Sequence, residues 1–258
     1  MYTLEVLIPV YNDLPGLIKT INSIDNIDLS ITVVDDGSTD SICLSNFQNF
    51  KANIKLINLK VNSGIIKALN TGLDSLIESN PKYIFRIDAG DIFCFEGIQE
   101  RLNFIINEKV GIIGGGTKFI DEKSAKGFVS NRISNNPSKL FPLVTNYIHS
   151  GIIFKYTELR YNPKNKFCED VFLFKEIEDI YGGKRVKTNY HVNVFQGVSG
   201  ISTEKRTLQL SSFTESIKRN NEKINILVKT LALIKLYLTR VFLKNKSKEM
   251  LLKSILRK

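Results

Sequence analysis

Several classes of protein are excluded by what this 258-residue sequence lacks. Its three cysteines form no CxxC pair, so neither a disulfide framework nor a thiolate metal site is indicated. No fixed-period repeat or low-complexity tract occurs, which excludes a solenoid and a long disordered segment. No stretch approaches the roughly twenty uncharged residues of a membrane-spanning helix. We therefore expect a globular chain with one sizeable α/β domain and an appendage.

The N-terminal segment MYTLEVLIPVYN also lacks the features of a signal peptide. No basic region precedes its apolar run, and Pro9 and polar residues interrupt that run. The segment is therefore predicted to be a first strand. Together with the small number of cysteines, this favours a cytoplasmic protein.

Charge is unevenly distributed along the chain. The net charge is +10, but residues 1–204 carry 22 Lys or Arg and 23 Asp or Glu, whereas residues 205–258 carry 14 and 3. The near-neutral body argues against a nucleic-acid-binding protein. The strongly basic tail indicates a separate electrostatic device, such as a membrane anchor.

Short β-branched runs alternate with helix-like stretches over the first hundred residues. This order predicts an α/β fold with a mostly parallel central sheet flanked by helices. In such sheets a ligand lies at the carboxyl ends of the strands, and here those loops are rich in Asp or Asn. The predicted elements are strands Leu4–Val10, Ile31–Val34, Ile54–Leu59 and Tyr83–Ile87 and helices Leu14–Ile24, Gly64–Ser79 and Phe95–Glu108.

The common phosphate-binding motifs are absent from these loops. Neither GxGxxG nor GxxxxGK[ST] follows a predicted strand, so a Rossmann dinucleotide site and a P-loop are not predicted. The run GIIGGG at 111–116 has no clear helix after it and is predicted to be a strand and turn. A nucleotidyltransferase is disfavoured too, because VYNDLPG lacks the cation of its Gly-rich loop.

Four motifs occur in a fixed order. They are IPVYND at 8–13, VVDDGSTD at 33–40, NSGIIKALNTG at 62–72 and FCEDVFLFKEI at 167–177. In order and spacing they resemble the motifs of the family 2 glycosyltransferases, of the type that builds bacterial surface polysaccharides. The resemblance implies a GT-A fold over residues 1–204, with a nucleotide-binding half at about 1–110 and an acceptor-binding half at 111–204.

The resemblance also implies a set of nucleotide-binding residues. Asp36 would bond the base, and the ring of Tyr11 is available for stacking. The alternative for Asp36 and its neighbour is a turn capped by Ser38 and Thr39, and Lys67 can equally be a solvated helix lysine. The implied set is Pro9, Val10, Tyr11, Asn12, Asp35, Asp36, Asn62, Gly64, Lys67 and Asp88.

The segment RIDAGD at 86–91 lies where the resembled family has its acidic metal motif. A divalent metal, Mn or Mg, neutralises the charge that grows on a diphosphate leaving group. Gly90 stands in place of one carboxylate of that motif, so Asp91 or Asp88 would hold the metal, or metal binding is weaker. A catalytically weakened or non-catalytic nucleotide- or carbohydrate-binding relative is therefore the alternative function.

The motif at 167–177 implies the catalytic carboxylates. An inverting transfer needs a base for the acceptor hydroxyl, a role that falls to Asp170, with Glu169 beside it. The other interpretation of this pair is a helix N-terminus stabilised by acidic residues. His149 resembles a histidine ahead of the acceptor region, whereas His191 is expected to be structural, and the loop 196–203 resembles one that closes over the donor.

The basic tail at 205–258 contains an amphipathic helical pattern. It can lie on the inner face of the cell membrane, form a homodimer through its heptad-like stripe, or pack on the catalytic body. The net charge favours the membrane surface. Lys229, Lys235 and Arg240 interrupt the apolar residues, so the helix is not expected to span a bilayer. The stripe consists of Ile224, Leu227, Leu231, Ile234, Leu238 and Val241.

Together these features predict an inverting hexosyl transfer. The donor would be a nucleotide diphosphate sugar, a UDP-sugar in our interpretation. The acceptor would be a saccharide or lipid-linked saccharide used in O-antigen, capsule or exopolysaccharide synthesis. No nucleic acid partner is expected.

Overall fold

A computed structural model describes residues 4–120, 127–130, 141–142, 147–186, 192–195, 206–219 and 226–243. The strands are β1 Leu4–Val10, β2 Ser30–Asp35, β3 Asn53–Asn58, β4 Tyr83–Arg86, β5 Ile112–Gly115, β6 Thr117–Ile120, β7 Gly127–Ser130, β8 Ile152–Lys155, β9 Gly183–Val186 and β10 Val192–Phe195. The helices are α1 Leu14–Ile24, α2 Ile65–Asp74, α3 Phe95–Asn107, α4 Glu169–Tyr181, α5 Arg206–Arg219 and α6 Ile226–Leu243. His191 and the loop 196–203 lie outside the described residues.

Seven of the described strands form one sheet in the order β3-β2-β1-β4-β8-β5-β9. All neighbours pair in parallel except β8, which is antiparallel to both β4 and β5. The predicted α/β fold with a mostly parallel central sheet is confirmed. The other three described strands form a smaller sheet in the order β10-β6-β7.

Apolar side chains cover both faces of the large sheet. On β1, Val6 and Ile8 pack with α1 and α3 on one face, whereas Leu7 packs with α2 and α4 on the other. These alternate residues are fully buried. A strand with helices on both faces has no polar side, which explains why β1 reads as a continuous apolar run.

The predicted elements agree with the structure within a residue or two, except at the end of α2. The helix was expected to reach Ser79 but ends at Asp74. Beyond it, Leu76 and Ile77 donate their N–H groups to carbonyls three residues earlier, and the segment continues as turns. Apolar periodicity does not distinguish these tighter turns from an α-helix.

Helix α5 packs on the body of the protein. Ile217 is fully buried, and the rings of Phe213 and Phe172 meet edge to face with centroids 5.9 Å apart. Arg219 donates to the carbonyl of Lys164 in the segment before α4. The predicted division at residue 204 thus assigns to the tail a helix whose contacts are with the catalytic body. Helix α6 packs in turn on α5.

Candidate active site

The loops at the carboxyl ends of β1 and β2 are joined by Asn12. Its backbone N–H donates to Ser38 Oγ at 2.8 Å, and its side-chain Oδ1 accepts from the Thr39 N–H at 2.7 Å. Asn12 has a φ of 53°, a conformation that asparagine tolerates better than most residues. The side chain of this predicted nucleotide-binding residue therefore holds two loops of the candidate site together.

The two adjacent carboxylates after β2 have different partners. Asp35 Oδ1 accepts from the N–H and the hydroxyl of Ser38, which is the capped turn that the sequence allows. Asp36 instead accepts from the backbone N–H groups of Ser63 and Gly64, both at 2.8 Å. One donor on each oxygen leaves further lone pairs, so Asp36 can still accept a hydrogen bond from a ligand.

The loops after β2 and β3 come so close together that position 37 requires glycine. Gly37 has a φ of +74°, and a Cβ there would lie 2.5 Å from the carbonyl carbon of Val61. Any side chain would push the loop after β3 away from Asp36. Because β1, β2, β3 and β4 run parallel, the loops that follow them lie at the same edge of the sheet.

The remaining predicted nucleotide-binding residues lie along the same edge. Tyr11 is 48% exposed directly after β1. Asn62 and Lys67 are exposed near the start of α2, and Gly64 is the N-cap residue of that helix. Pro9 and Val10 are buried within β1. Pro9 lies beyond Leu7, where the pairing of β1 with β4 ends, so its missing N–H does not interrupt that ladder.

A tight turn carries the segment DAGD after β4. The Asp91 N–H donates to the Asp88 carbonyl at 3.1 Å, and Gly90 has a φ of +92°. Thr20 of α1 accepts from the Gly90 N–H at 2.9 Å and donates to the Asp91 carbonyl at 2.7 Å. A carboxylate-bearing residue at position 90 would be strained in this conformation. The turn geometry gives a physical reason for the glycine.

Four charged side chains form a chain across the site, from β4 to α4. Arg86 Nη2 lies 2.7 Å from Asp88 Oδ1, and His149 Nε2 lies 3.0 Å from Asp88 Oδ2. His149 Nδ1 lies 3.5 Å from Asp170 Oδ2. Cations and carboxylates therefore alternate, and His149 connects the DAGD turn to the predicted base.

The alternation fixes the charge of its members. Burial opposes the charged form of Asp88, but Arg86 and His149 outweigh it and hold the pKa of Asp88 at about 2. Burial and Arg86 oppose an imidazolium, yet Asp88 and Asp170 raise the pKa of His149 to about 10. His149 also lowers the pKa of Asp170 against its burial. At neutral pH the chain is Arg⁺, Asp⁻, His⁺, Asp⁻.

The two neighbouring acids at the start of α4 are pushed in opposite directions. Burial and the adjacent Asp170 raise the pKa of Glu169, while the pKa of Asp170 is lowered. Such divergence separates the roles of a carboxylate pair. Asp170 is the member that is ionised and able to accept a proton.

The loop that carries His149 is anchored on both sides. Ser150 Oγ accepts from the Asp88 N–H at 3.1 Å, and the Gly151 N–H donates to the Arg86 carbonyl at 2.8 Å. The buried Arg101 of α3 donates to the Gly151 carbonyl. These bonds fix the histidine between the two carboxylates.

The interior of this cluster has more hydrogen-bonding capacity than it uses. Among the described residues, Arg86 Nε and Nη1, Tyr161 Oη and Glu169 Oε2 are buried without a hydrogen-bond partner. Arg86 and Tyr161 both interact electrostatically with Asp170. Unmatched buried polar atoms are rare in native proteins and often mark functional sites.

A divalent cation fits one of the two predicted metal ligands. No group of three or more His, Cys, Asp or Glu side chains is arranged for a metal in the part of the chain that the structure describes. A cation on a diphosphate, however, often takes only one or two carboxylates from the protein. Asp91 can supply one, because its Oδ2 is buried without a hydrogen-bond partner. Asp88 is the weaker candidate, because Arg86 and His149 engage both of its oxygens.

The residue before the carboxylate pair connects the site to α5. Cys168 Sγ lies 3.6 Å from Ser216 Oγ and 3.3 Å from the Asn165 carbonyl. Burial raises the pKa of the Cys168 thiol to about 11, so it is inert. Ser212 donates to the Lys166 carbonyl. Helix α5 therefore supports the N-terminus of the helix that carries Asp170.

Sequence reasoning missed Arg86, Thr20 and Tyr161. A charged residue in the otherwise apolar strand YIFRI, two positions before DAGD, was the available signal for Arg86. Nothing in the sequence identifies Thr20 or Tyr161, because their contacts join segments about 70 residues apart or more. Asn70, in the motif at 62–72, exchanges two hydrogen bonds with the backbone of Tyr161.

The family of the chain follows from its match to a sequence model. The family described as Glycosyl transferase family 2 matches residues 5–173, a span that contains the loops of the site, His149 and Asp170. The chain belongs to glycosyltransferase family 2. Its sheet is that of the GT-A fold.

Curated relatives of this family 2 chain are also glycosyltransferases by description. An uncharacterized glycosyltransferase of Haemophilus influenzae is 30% identical over 166 residues, which cover 62% of this chain and 48% of that protein. The bifunctional glycosyltransferase pgtA of Dictyostelium discoideum is 30% identical over 146 residues, 51% of this chain and 19% of that protein. The matches span less than half the length of these relatives.

Solved structures of S. aureus TarS share the fold. TarS 1-349 has a TM-score of 0.64 and 18% identity, covering 95% of this chain and 73% of that chain. TarS 1-349 in complex with UDP-GlcNAc has a TM-score of 0.65 and 17% identity, covering 93% and 72%. At these identities the likeness concerns the fold alone.

Proposed function

We propose that this protein is an inverting glycosyltransferase that moves a sugar from a nucleotide diphosphate sugar to an acceptor hydroxyl. One observation carries the proposal most directly. His149 lies between the ionised Asp170 and Asp88, with 3.5 Å from its Nδ1 to Asp170 Oδ2 and 3.0 Å from its Nε2 to Asp88 Oδ2. Asp88 lies at the carboxyl edge of the sheet, the donor edge, where the nucleotide sugar is proposed to bind. A base and a leaving-group site separated by one side chain suit attack opposite the leaving nucleotide.

The donor is proposed to bind along the carboxyl edge of β1 and β2. Asp36 would accept a hydrogen bond from the base, since its carboxylate is held in place by two backbone donors. The exposed ring of Tyr11 would stack on that base, and Lys67 would approach the diphosphate from α2. Structures of S. aureus TarS in complex with UDP and with UDP-GlcNAc support a UDP-sugar as the donor.

Asp170 is proposed to remove the proton from the acceptor hydroxyl. In the resting site its negative charge is balanced by His149 at 3.5 Å, a distance longer than a strong charged hydrogen bond. The acceptor hydroxyl would donate to Asp170 and transfer its proton to it as the oxygen bonds to the anomeric carbon and the bond from that carbon to the diphosphate oxygen breaks. Glu169, with its raised pKa, would act as a hydrogen-bond donor to the acceptor.

Two groups are proposed to stabilise the leaving diphosphate. His149, held as an imidazolium between Asp88 and Asp170, would act through its positive charge, because both of its ring nitrogens already face carboxylates. Asp91 would hold a Mn or Mg ion, which supplies Lewis-acid neutralisation of the diphosphate charge when bound. Asp88 would then keep Arg86 and His149 in place.

The acceptor is proposed to be a saccharide or lipid-linked saccharide in the synthesis of O-antigen, capsule or exopolysaccharide. Membership of family 2 and the basic tail support this proposal. The catalytic unit is proposed to continue through α5, because that helix supports the segment before α4. The separable tail would then begin after residue 219.

A panel of nucleotide sugars tests the function. The full chain is incubated with each donor and an acceptor extract, with and without Mn²⁺ or Mg²⁺, and nucleotide release is followed. We expect release from a UDP-sugar, and an α-configured donor should give a β-linked product by NMR. A product that retains the donor's configuration would contradict the inverting mechanism.

A non-catalytic, nucleotide-binding relative is the second candidate. It is favoured by Gly90, which stands in place of a carboxylate, and by the contacts of both Asp88 oxygens with Arg86 and His149. Calorimetric binding of UDP without turnover of any donor in the panel would support it. Turnover that Asp170→Asn abolishes would exclude it.

A further inference from the structure

Helix α6 has one face covered by protein and another that is open. Ala232 is 1% exposed on the face that packs on α5. On the opposite side, Leu231, Ile234 and Leu238 are 45 to 50% exposed. These three are members of the apolar stripe predicted from the sequence, and about half of the surface of each is left uncovered by the rest of the protein.

The exposed apolar face is wider than this stripe. Ile226 is 80% exposed and Tyr237 68% exposed, and both flank it. Isolated exposed apolar residues need no explanation, but a contiguous set along a helix of 18 residues indicates a binding surface. No helix among the described residues is long and apolar enough to cross a bilayer.

A second copy of this chain or a lipid bilayer could cover the exposed face of α6, and the charge of the tail decides between them. Residues 205–258 carry 14 Lys or Arg and only 3 Asp or Glu. A second copy of this chain would bring two strongly basic tails together. An anionic bilayer surface would attract the same charges while its acyl chains accept the apolar face.

We propose that the apolar face of α6 is a docking surface for an anionic lipid bilayer, with the helix lying in the interface. The bilayer is proposed to be the inner face of the cell membrane, which faces the pool of nucleotide sugars. Because α6 packs on α5, and α5 contacts the segment before Asp170, these two helices connect the proposed bilayer surface to the acceptor side. This last step rests on the proposed function and favours a lipid-linked acceptor.

Vesicle co-sedimentation tests the docking surface. The full chain is mixed with phosphatidylcholine vesicles or with vesicles in which about a third of the lipid is phosphatidylglycerol. We expect about tenfold stronger partitioning to the anionic vesicles, lost in high salt. The triple variant Leu231→Gln, Ile234→Gln, Leu238→Gln should lose about tenfold in partitioning.

A matched control separates this surface from general hydrophobicity. Ile27, Ile77 and Ile180 are 56 to 74% exposed on the body, and their triple change to Gln should leave partitioning unchanged. Equal partitioning of wild type and the α6 variant would overturn the proposal. A wild-type dimer, seen by light scattering, that the α6 variant converts to a monomer without any effect of anionic lipid would overturn it in favour of self-association.

The same variants distinguish this proposal from the proposed function. Nucleotide release with a soluble acceptor should be the same in wild type and the α6 variant, because no changed residue lies at the site. Lipid binding without any sugar transfer would support the docking surface and refute the proposed glycosyltransferase function. Transfer without lipid binding would do the reverse.

Discussion

The buried ion pair of Arg86 and Asp88 makes the stability of this protein depend on a residue that the family motifs do not include. The side chain of Arg86 is 5% exposed and its Nη2 lies 2.7 Å from Asp88 Oδ1. Arg86→Met keeps a long apolar side chain but removes the guanidinium. Asp88 then remains largely buried with one cation fewer.

The cost can be estimated from the burial of the pair. Removing one partner of a buried ion pair costs about 3 to 5 kcal/mol. Asp88 retains His149 at 3.0 Å and is 29% exposed, so we expect a smaller loss of about 2 to 3 kcal/mol in the free energy of unfolding. A domain with about 5 to 15 kcal/mol of stability would remain folded.

Urea unfolding, with the transition midpoint compared at constant slope, measures this loss. Lys184→Met is the control, because Lys184 Nζ lies 3.2 Å from Glu108 Oε2 and the two side chains are 52% and 41% exposed. The control should lose less than about 1 kcal/mol. Adding Asp88→Asn to Arg86→Met should recover part of the loss, since no carboxylate is then left uncompensated.

The pH dependence of the free energy of unfolding provides a second test. The pKa of Asp88 is about 2, below its ordinary value of 3.8. The stability it contributes is therefore present above about pH 4 and is lost as the pH falls toward 2. The difference between wild type and Arg86→Met should shrink over that interval. A loss no larger than that of Lys184→Met, or one that does not change with pH, would refute the reasoning.

Two further predictions concern Asp91 and His149. Burial and Asp88 raise the pKa of Asp91 to about 7, so the affinity for Mn²⁺ in the presence of UDP should weaken as the pH falls below 7. Asp91→Asn should lose most of that affinity, as measured by calorimetry. An affinity for Mn²⁺ that does not change with pH would count against Asp91 as the metal ligand. The pKa of His149 is raised from 6.5 to about 10, so its stabilising effect is present below about pH 6.5 and lost as the pH rises toward 10. The difference in urea midpoint between wild type and His149→Gln should follow that decline, and a constant difference would contradict it.

The first hundred residues were predictable because their signals are local. The runs at β1 and β2 and the period of α1 depend on neighbours within one element. The position of His149 depends instead on hydrogen bonds to residues about 50 to 60 positions away, which no local pattern encodes. The motif order placed Asp170 near the donor edge, but not the histidine between them.

The tail shows the same limit. Spacings of three and four predicted a helix with an apolar stripe, and α6 forms over Ile226–Leu243. Which face is covered depends on α5, whose own docking relies on Phe213 and Ile217 meeting the body. The sequence left three partners open for the stripe, and the structure shows that about half of the surface of Leu231, Ile234 and Leu238 is not covered by the body.

The catalytic assignment of Asp170 is tested most directly by its change to Asn. Donor turnover by wild type, Asp170→Asn and Glu169→Gln is compared, with UDP affinity and thermal unfolding measured on each protein. We predict that Asp170→Asn lowers kcat by about a thousandfold and Glu169→Gln by much less, with UDP affinity unchanged in both. Wild-type turnover by a folded Asp170→Asn variant would contradict the account.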